Sequence, residues 1–228
     1  MRLAGIIDVM SYQVVAALSP VAYDYNGFVT SRQAHDVGVS NTQLKSMADA
    51  GILERVDHGI YRFEAAPGQL SDPTFWRWLA VSQGDRHGSD GVPPVVVAGE
   101  NAAELHGIGD FWPRGFDFIV TSRRFTRIDD VRLRRRTVEP IDVDYVDSIP
   151  VLTIEATLAD LAGPDQGVDL SLIGDAYRDA RRLGRIVRPD RIETLLRPFA
   201  TRYGLAANDG SAVLDLITQR KATTRAPT

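Results

Sequence analysis

The chain has 228 residues, 44% of them hydrophobic and 25% charged, with a formal net charge of −4 and no cysteine. That length accommodates two domains with separate cores, and the missing cysteines exclude disulfides, thiolate zinc sites and cysteine nucleophiles. The opening MRLAGIIDVM breaks its apolar run with Asp8 and no stretch reaches the ~18 to 20 apolar residues of a membrane span, so a cytoplasmic protein without a membrane partner is expected.

Ile6, Ile7, Met10, Val14, Leu18 and Val21 recur near the helical period, which predicts one or two helices over residues 2–22 with Pro20 near the end. Thr30 is a good N-cap for a short helix over Ser31–Asp36, with Ala34 inward and Val37-Gly38 as its break. Ser40 offers a second cap. Leu44, Met47 and Ala48 then form an apolar stripe on a helix reaching Ala50, which Gly51 stops. Two extended runs follow, Leu53–Val56 and Ile60–Phe63, around the turn cluster Asp57-His58-Gly59. Helix, turn, helix and hairpin in this order read as a winged helix-turn-helix, whose second helix enters the major groove while the wing flanks the phosphates.

The outward face of residues 41–49 carries Asn41, Thr42, Gln43, Lys45 and Ser46, with Ser40 at its start. Asn and Gln bond adenine through two hydrogen bonds, and Lys takes guanine or a phosphate. Arg32 and Gln33 on the first helix, and Arg55, His58 and Arg62 on the wing, are the phosphate candidates. Exposed polar helix faces are ordinarily just solvated, and helix-turn-helix units also serve protein contacts. Residues 1–65 hold five cations against seven anions, a balance of −2. The expectation is therefore modest, salt-sensitive DNA affinity from one copy, with a second copy or another basic surface supplying the rest.

AAPGQLSDP reads as a linker, so the expected division is a DNA-binding domain over residues 1–65 and a second domain over 72–222. Asp72-Pro73 would cap and open a helix through Phe75–Ser82, the first element of that second domain. A glycine-rich mobile loop is expected over Gly84–Pro94, then a strand at Val95–Val97 and a helix over Gly99–Leu105 ending at His106-Gly107. Strands follow at Phe116–Thr121 and Val131–Arg135, the latter with Val131 and Leu133 inward and Arg132 and Arg134 outward. With Arg123, Arg124, Arg127, Arg135 and Arg136 they make seven arginines in 14 residues. A solvated sheet face paired with the acidic run Glu139–Asp147 and a phosphate or RNA contact surface are equally good readings of that cluster. A strand at Ile149–Leu152 and a helix over Ile154–Ala162, capped by Thr153 and stopped by Gly163, lead to three helices at residues 169–183, 189–197 and 211–220. Residues 166–228 carry 11 cations and seven anions, and Arg178, Arg181, Arg182 and Arg185 share one helical face, a second basic surface.

No catalytic constellation emerges. None of the four histidines pairs with another at i, i+4, and of the candidate metal ligands Glu100, Glu104 and His106, the last two are two apart on a helix and do not share a face. There is no Walker loop, no Gly-x-Ser-x-Gly elbow and no carboxylate-lysine pair of nuclease character. No catalytic residue, metal or cofactor is assigned, and the expectation is a protein that is not an enzyme.

GFVTSRQAHDVGVSNTQLKSMADAGILERVDHGIYRF, VAGENAAELHGIGDF, VTSRRF and IPVLTIEATLADLAG occur in an order that resembles the AbiEi-type antitoxins of abortive-infection toxin-antitoxin systems, over about residues 10–200. The resemblance implies an N-terminal winged helix-turn-helix that binds inverted repeats in double-stranded DNA upstream of its own operon, as an autorepressor and with a homodimer on the DNA as one arrangement. It also implies a second domain that counteracts a nucleotidyltransferase-type toxin, by direct contact or indirectly. The DNA-reading role falls on the helix starting at Asn41 and the wing around His58-Gly59, and the antitoxin role on residues 75–220. The expected fold class is α+β, a winged helix-turn-helix followed by a mixed α/β domain. A standalone winged-helix regulator and an RNA-binding or enzymatic protein using the arginine-rich second domain are the competing readings.

Overall fold

Local chemistry starts both short helices of the N-terminal unit. The computed structural model describes residues 2–67, 73–88 and 91–219, with side chains from Ser11 onward. Thr30 caps α2 (Ser31–Asp36) and Ser40 caps α3 (Asn41–Asp49), each with its hydroxyl accepting the backbone N–H three residues on. Gly38 and Gly51, both at positive φ, end the two helices. Before them α1 (Arg2–Asp24) buries Val14, Leu18 and Ala22 at i, i+4 and i+8, while Ile6, Ile7 and Met10 lie outside the described side chains. As expected, Pro20 lies near the end of α1, which is one helix running on to Asp24. Pro20 is exposed, so the N–H it cannot give to the Ala16 carbonyl is missing on the helix face turned away from the core.

β1 (Phe28–Thr30), β2 (Leu53–Asp57) and β3 (Ile60–Phe63) make an antiparallel sheet in the order β1-β3-β2. Val29 and Tyr61, partners across β1 and β3, join Leu44, Met47 and Leu53 in the helical core. Phe28 and Arg62, the next pair along, point to the opposite face. That face is covered by α4 (Pro73–Ser82), whose Phe75 ring lies 5.2 Å from Phe28 and 6.1 Å from Trp78. The chain accordingly divides into units of residues 1–85 and 86–228. The expected boundary at the linker moves to Asp85/Arg86, because α4 packs with the winged helix. Asp72, the expected cap of that helix, lies outside the described residues.

The second unit is built on a mixed five-stranded sheet, β6-β5-β4-β8-β7, from β4 (Val95–Val97), β5 (Phe116–Val120), β6 (Val131–Arg135), β7 (Val143–Val146) and β8 (Ile149–Leu152). β4 runs antiparallel to β5 and parallel to β8, β5 and β6 are parallel, and β7 and β8 form a hairpin through Asp147-Ser148, both at positive φ. Among the described residues five α-helices accompany it: α5 (Gly99–His106), α6 (Ile154–Leu161), α7 (Leu170–Arg182), α8 (Pro189–Leu196) and α9 (Gly210–Gln219), with 3-10 segments at Pro140–Asp142 and Arg197–Tyr203. Every residue of α6 is buried. Within the stretch expected to be a mobile loop, Val92, Pro93 and Pro94 are buried, and residues 89–90 lie outside the described residues. No helix among the described residues is long and apolar enough to cross a membrane.

Candidate nucleic-acid interface

The packing of α3 decides which of its side chains reach outward. Leu44 and Met47 are buried against the core, so Asn41, Thr42, Lys45 and Ser46 are left exposed on the opposite arc. Gln43, expected among the base-reading residues, is engaged in the helix cap: its Oε1 lies 2.9 Å from the Ser40 N–H and 2.9 Å from the Ser40 hydroxyl. Gln33 does the same for α2, accepting the Thr30 N–H at 2.9 Å. Both glutamines thus close capping boxes, which hold the two helix starts and the turn between them. Ser40 contributes its hydroxyl to that box, accepting the Gln43 N–H at 3.3 Å.

The wing arginines have opposite surroundings. Arg55 is exposed at the edge strand, with Nη2 3.4 Å from Nδ1 of the exposed His58. Arg62 is 8% exposed, donates from Nη2 to the Ala66 and Pro67 carbonyls at 3.1 and 3.2 Å, and lies 5.7 Å from the Phe28 ring centroid. This corrects its assignment as a phosphate contact, since α4 covers the sheet face from which it projects. Arg32 is exposed on α2. Arg77 of α4 pairs with Asp57 at 2.8 Å beside the wing turn, which removes one of the anions counted against DNA binding.

One acidic residue shares the outward face. Asp49 is exposed and four residues beyond Lys45, hence on the same arc of α3. The i, i+4 spacing of Lys45 and Asp49 makes this legible in the sequence. Near a phosphate backbone a carboxylate at this place opposes binding, and one unit charge at contact range in water is worth about 1 kcal/mol. Asp49→Asn is therefore expected to tighten binding to duplex DNA by about fivefold at low salt, as read by fluorescence anisotropy. Unchanged affinity would place Asp49 away from the DNA.

On β6, Arg132 and Arg135 are exposed, whereas Arg134, expected to face outward, is largely covered. Arg134 points inward, with Nη1 and Nη2 on the Asp160 carboxylate at 2.8 and 2.5 Å and Nε on Asp117 at 2.9 Å. Arg136 adds a bond to Asp160 at 2.6 Å, and Arg132 donates to the Asp165 carbonyl at 2.8 Å. The acidic run does not supply these partners: β6 and β7 lie at opposite edges of the sheet, and Asp142 and Glu139 pair with Arg191. Arg123 is exposed over the Phe125 ring and Arg124 is half-buried. On α7, Arg178 and Arg182 bond to Asp175 and Asp179 three residues before them, and Arg181 lies over Tyr177. Arg185 departs from that group and donates to the His106 carbonyl at the end of α5.

Burial alone would raise the Asp160 carboxyl. The hydrogen bonds and charge of Arg134, the charge of Arg136 and the Gly99 N–H more than offset it, holding the group below the usual carboxylate range. His106 is 2% exposed, its Nε2–H donates to the Leu152 carbonyl at 2.6 Å, and burial lowers its imidazole below the ordinary value. No group of three His, Asp or Glu side chains suited to a metal ion occurs among the described residues.

The fold is similar to that of the crystal structure of the RV2827C protein from Mycobacterium tuberculosis, with a TM-score of 0.51 at 18% identity over 94% of this chain and 84% of that one. No curated protein matches the chain in sequence. Residues 17–63 match the family described as "Transcriptional regulator, AbiEi antitoxin", a segment that starts within α1 and ends with β3. Over this winged helix-turn-helix the chain is similar to the AbiEi antitoxin family of transcriptional regulators.

Proposed function

We propose that the chain is a DNA-binding antitoxin that represses its own operon, acting in the cytoplasm and counteracting a nucleotidyltransferase-type toxin. The observation that carries the DNA part is the outward arc of α3. Asn41, Thr42, Lys45 and Ser46 stand exposed on a helix whose start is held by a closed capping box. Asn41 sits at the first turn, where recognition helices meet base edges, and Lys45 is one turn on. Ser40, Gln43 and Gln33 set the helices in place, while Arg32, Arg55 and His58 flank them as backbone contacts. The antitoxin part rests on the family match, and the competing reading, a standalone regulator, shares the same DNA-binding chemistry.

The test is a mobility shift of the DNA upstream of this gene with the full-length chain, beside Asn41→Ala/Lys45→Ala. A base-specific pair contributes about 1–3 kcal/mol, so the double variant is expected to bind about tenfold to hundredfold more weakly. No specific shift at low salt would make the module one for protein contacts. Rescue of growth on co-expression with a neighbouring nucleotidyltransferase separates the antitoxin from a standalone regulator, which would give none.

A further inference from the structure

α1 turns two large aromatic side chains into solvent. Tyr12 is 74% exposed and Tyr23 87% exposed. With the exposed Ala16 and Ser19 they stand at i, i+4, i+7 and i+11, within about 60° of helical arc and opposite the buried Val14, Leu18 and Ala22. From Val9 to Tyr23 the chain has fifteen consecutive residues without a charge, in a protein that is 25% charged. Tyrosine enrichment with charge depletion marks the centre of protein interfaces, whereas solvated helix faces carry charges. Ser19 already donates its hydroxyl to the Val15 carbonyl at 2.7 Å, so covering it leaves no unpaired donor.

We infer that this stripe pairs with the same stripe of a second copy of the chain, the two α1 helices running antiparallel across a two-fold axis. The stripe is complementary to itself in that arrangement. With the axis between Ala17 and Leu18, Tyr12 of one copy meets Tyr23 of the other and Ala16 meets Ser19, so the small residues let the helices approach while the rings close both ends. A neutral face offers nothing to an acidic or basic partner. The area is of the right order: the tyrosines are already partly covered, so each buries about 150 Å² and four supply ~600 Å², about half of the ~1,200 Å² at which specific interfaces begin, with Ala16 and Ser19 between them adding to it. Gln13 and Pro20, both exposed at the flank, contribute the remainder. The pairing deepens the DNA reading and rests on it for its use, which is to present two α3 helices to one inverted repeat.

Sedimentation equilibrium of the full-length chain without DNA tests it separately from operator binding. Wild type is expected at twice the 25.1 kDa chain mass. Ala16→Glu buries an unpaired charge and is expected to weaken association about thirtyfold or more, with an unchanged helical circular-dichroism spectrum. Ala16→Glu/Ser19→Lys is expected to restore the dimer, because in the antiparallel pair each new carboxylate faces the other copy's new ammonium. Should Ala16→Glu fail to fold, Tyr12→Ser/Tyr23→Ser, altering two exposed positions, replaces it with the same expected loss. A single-chain mass for wild type would overturn the proposal. So would a dimer that these substitutions leave intact, which would place the interface elsewhere, or a folded Ala16→Glu monomer that the second substitution does not rescue.

Discussion

Asp160→Ala is expected to destabilise the second unit by about 3–5 kcal/mol, the range for breaking a buried ion pair from one side. Asp160 is 1% exposed and receives Arg134 through two nitrogens, Arg136 through one, and the Gly99 N–H at 3.1 Å. Without it, Arg134 retains Asp117 alone and the buried Gly99 N–H, at the start of α5, loses its acceptor. Urea unfolding of the full-length chain would show an earlier transition for the second unit, and a shift below about 1 kcal/mol would count against the network as a keystone. The same group fixes a pH dependence. An unfolded Asp titrates near ~3.9 and the folded group lies lower, so its stabilisation is complete above the unfolded value and is lost as pH falls through the folded one. Wild type should therefore lose stability steeply below about pH 5, while Asp160→Asn should start lower and show a shallower acid slope.

The parts of this fold that were legible in the sequence are those set by neighbours along the chain. Thr30, Ser40, Gly38 and Gly51 act within one turn of themselves, and the apolar stripe Leu44-Met47 needs no distant partner to declare its face. Local signals were nevertheless read for one role where another prevailed. Thr30-x-x-Gln33 and Ser40-x-x-Gln43 are capping-box signatures, and the box uses the amide oxygen that a base-reading glutamine would present. Arg134 failed for a longer-range reason. Alternation on β6 separates two faces, but nothing local says that the arginine face will meet α6, whose Asp160 follows 26 residues later. β7 was hidden by its charges: Val143, Asp144, Tyr145 and Val146 pair with β8 at a sheet edge where the adjacent Asp144 and Tyr145 remain in solvent, so an acidic run and a strand were the same residues.

Arg62→Ala is expected to cost the N-terminal unit about 2–4 kcal/mol, combining hydrogen bonds from a charged donor with a ring contact in a covered site. Arg62→Lys should recover little of it, because an ammonium lacks the planar fork that spans the Ala66 and Pro67 carbonyls beside Phe28. Arg55→Ala is the opposite case. Its side chain is exposed, so the melting temperature should stay unchanged while DNA affinity falls and becomes less sensitive to salt. Strand pairing explains the difference. Phe28, Arg62 and Glu54 are register partners on one face of the three-stranded sheet, and Val29, Tyr61 and Arg55 on the other. With residues 1–65 taken as the whole domain, the Arg62 face looks open to phosphates. α4 closes it through Phe75, and the arginine becomes part of the seam between helix and sheet. Thermal unfolding of the three variants, with DNA titrations well below their midpoints, separates the roles. An Arg62→Ala chain that melts like wild type but loses its DNA would return Arg62 to the interface.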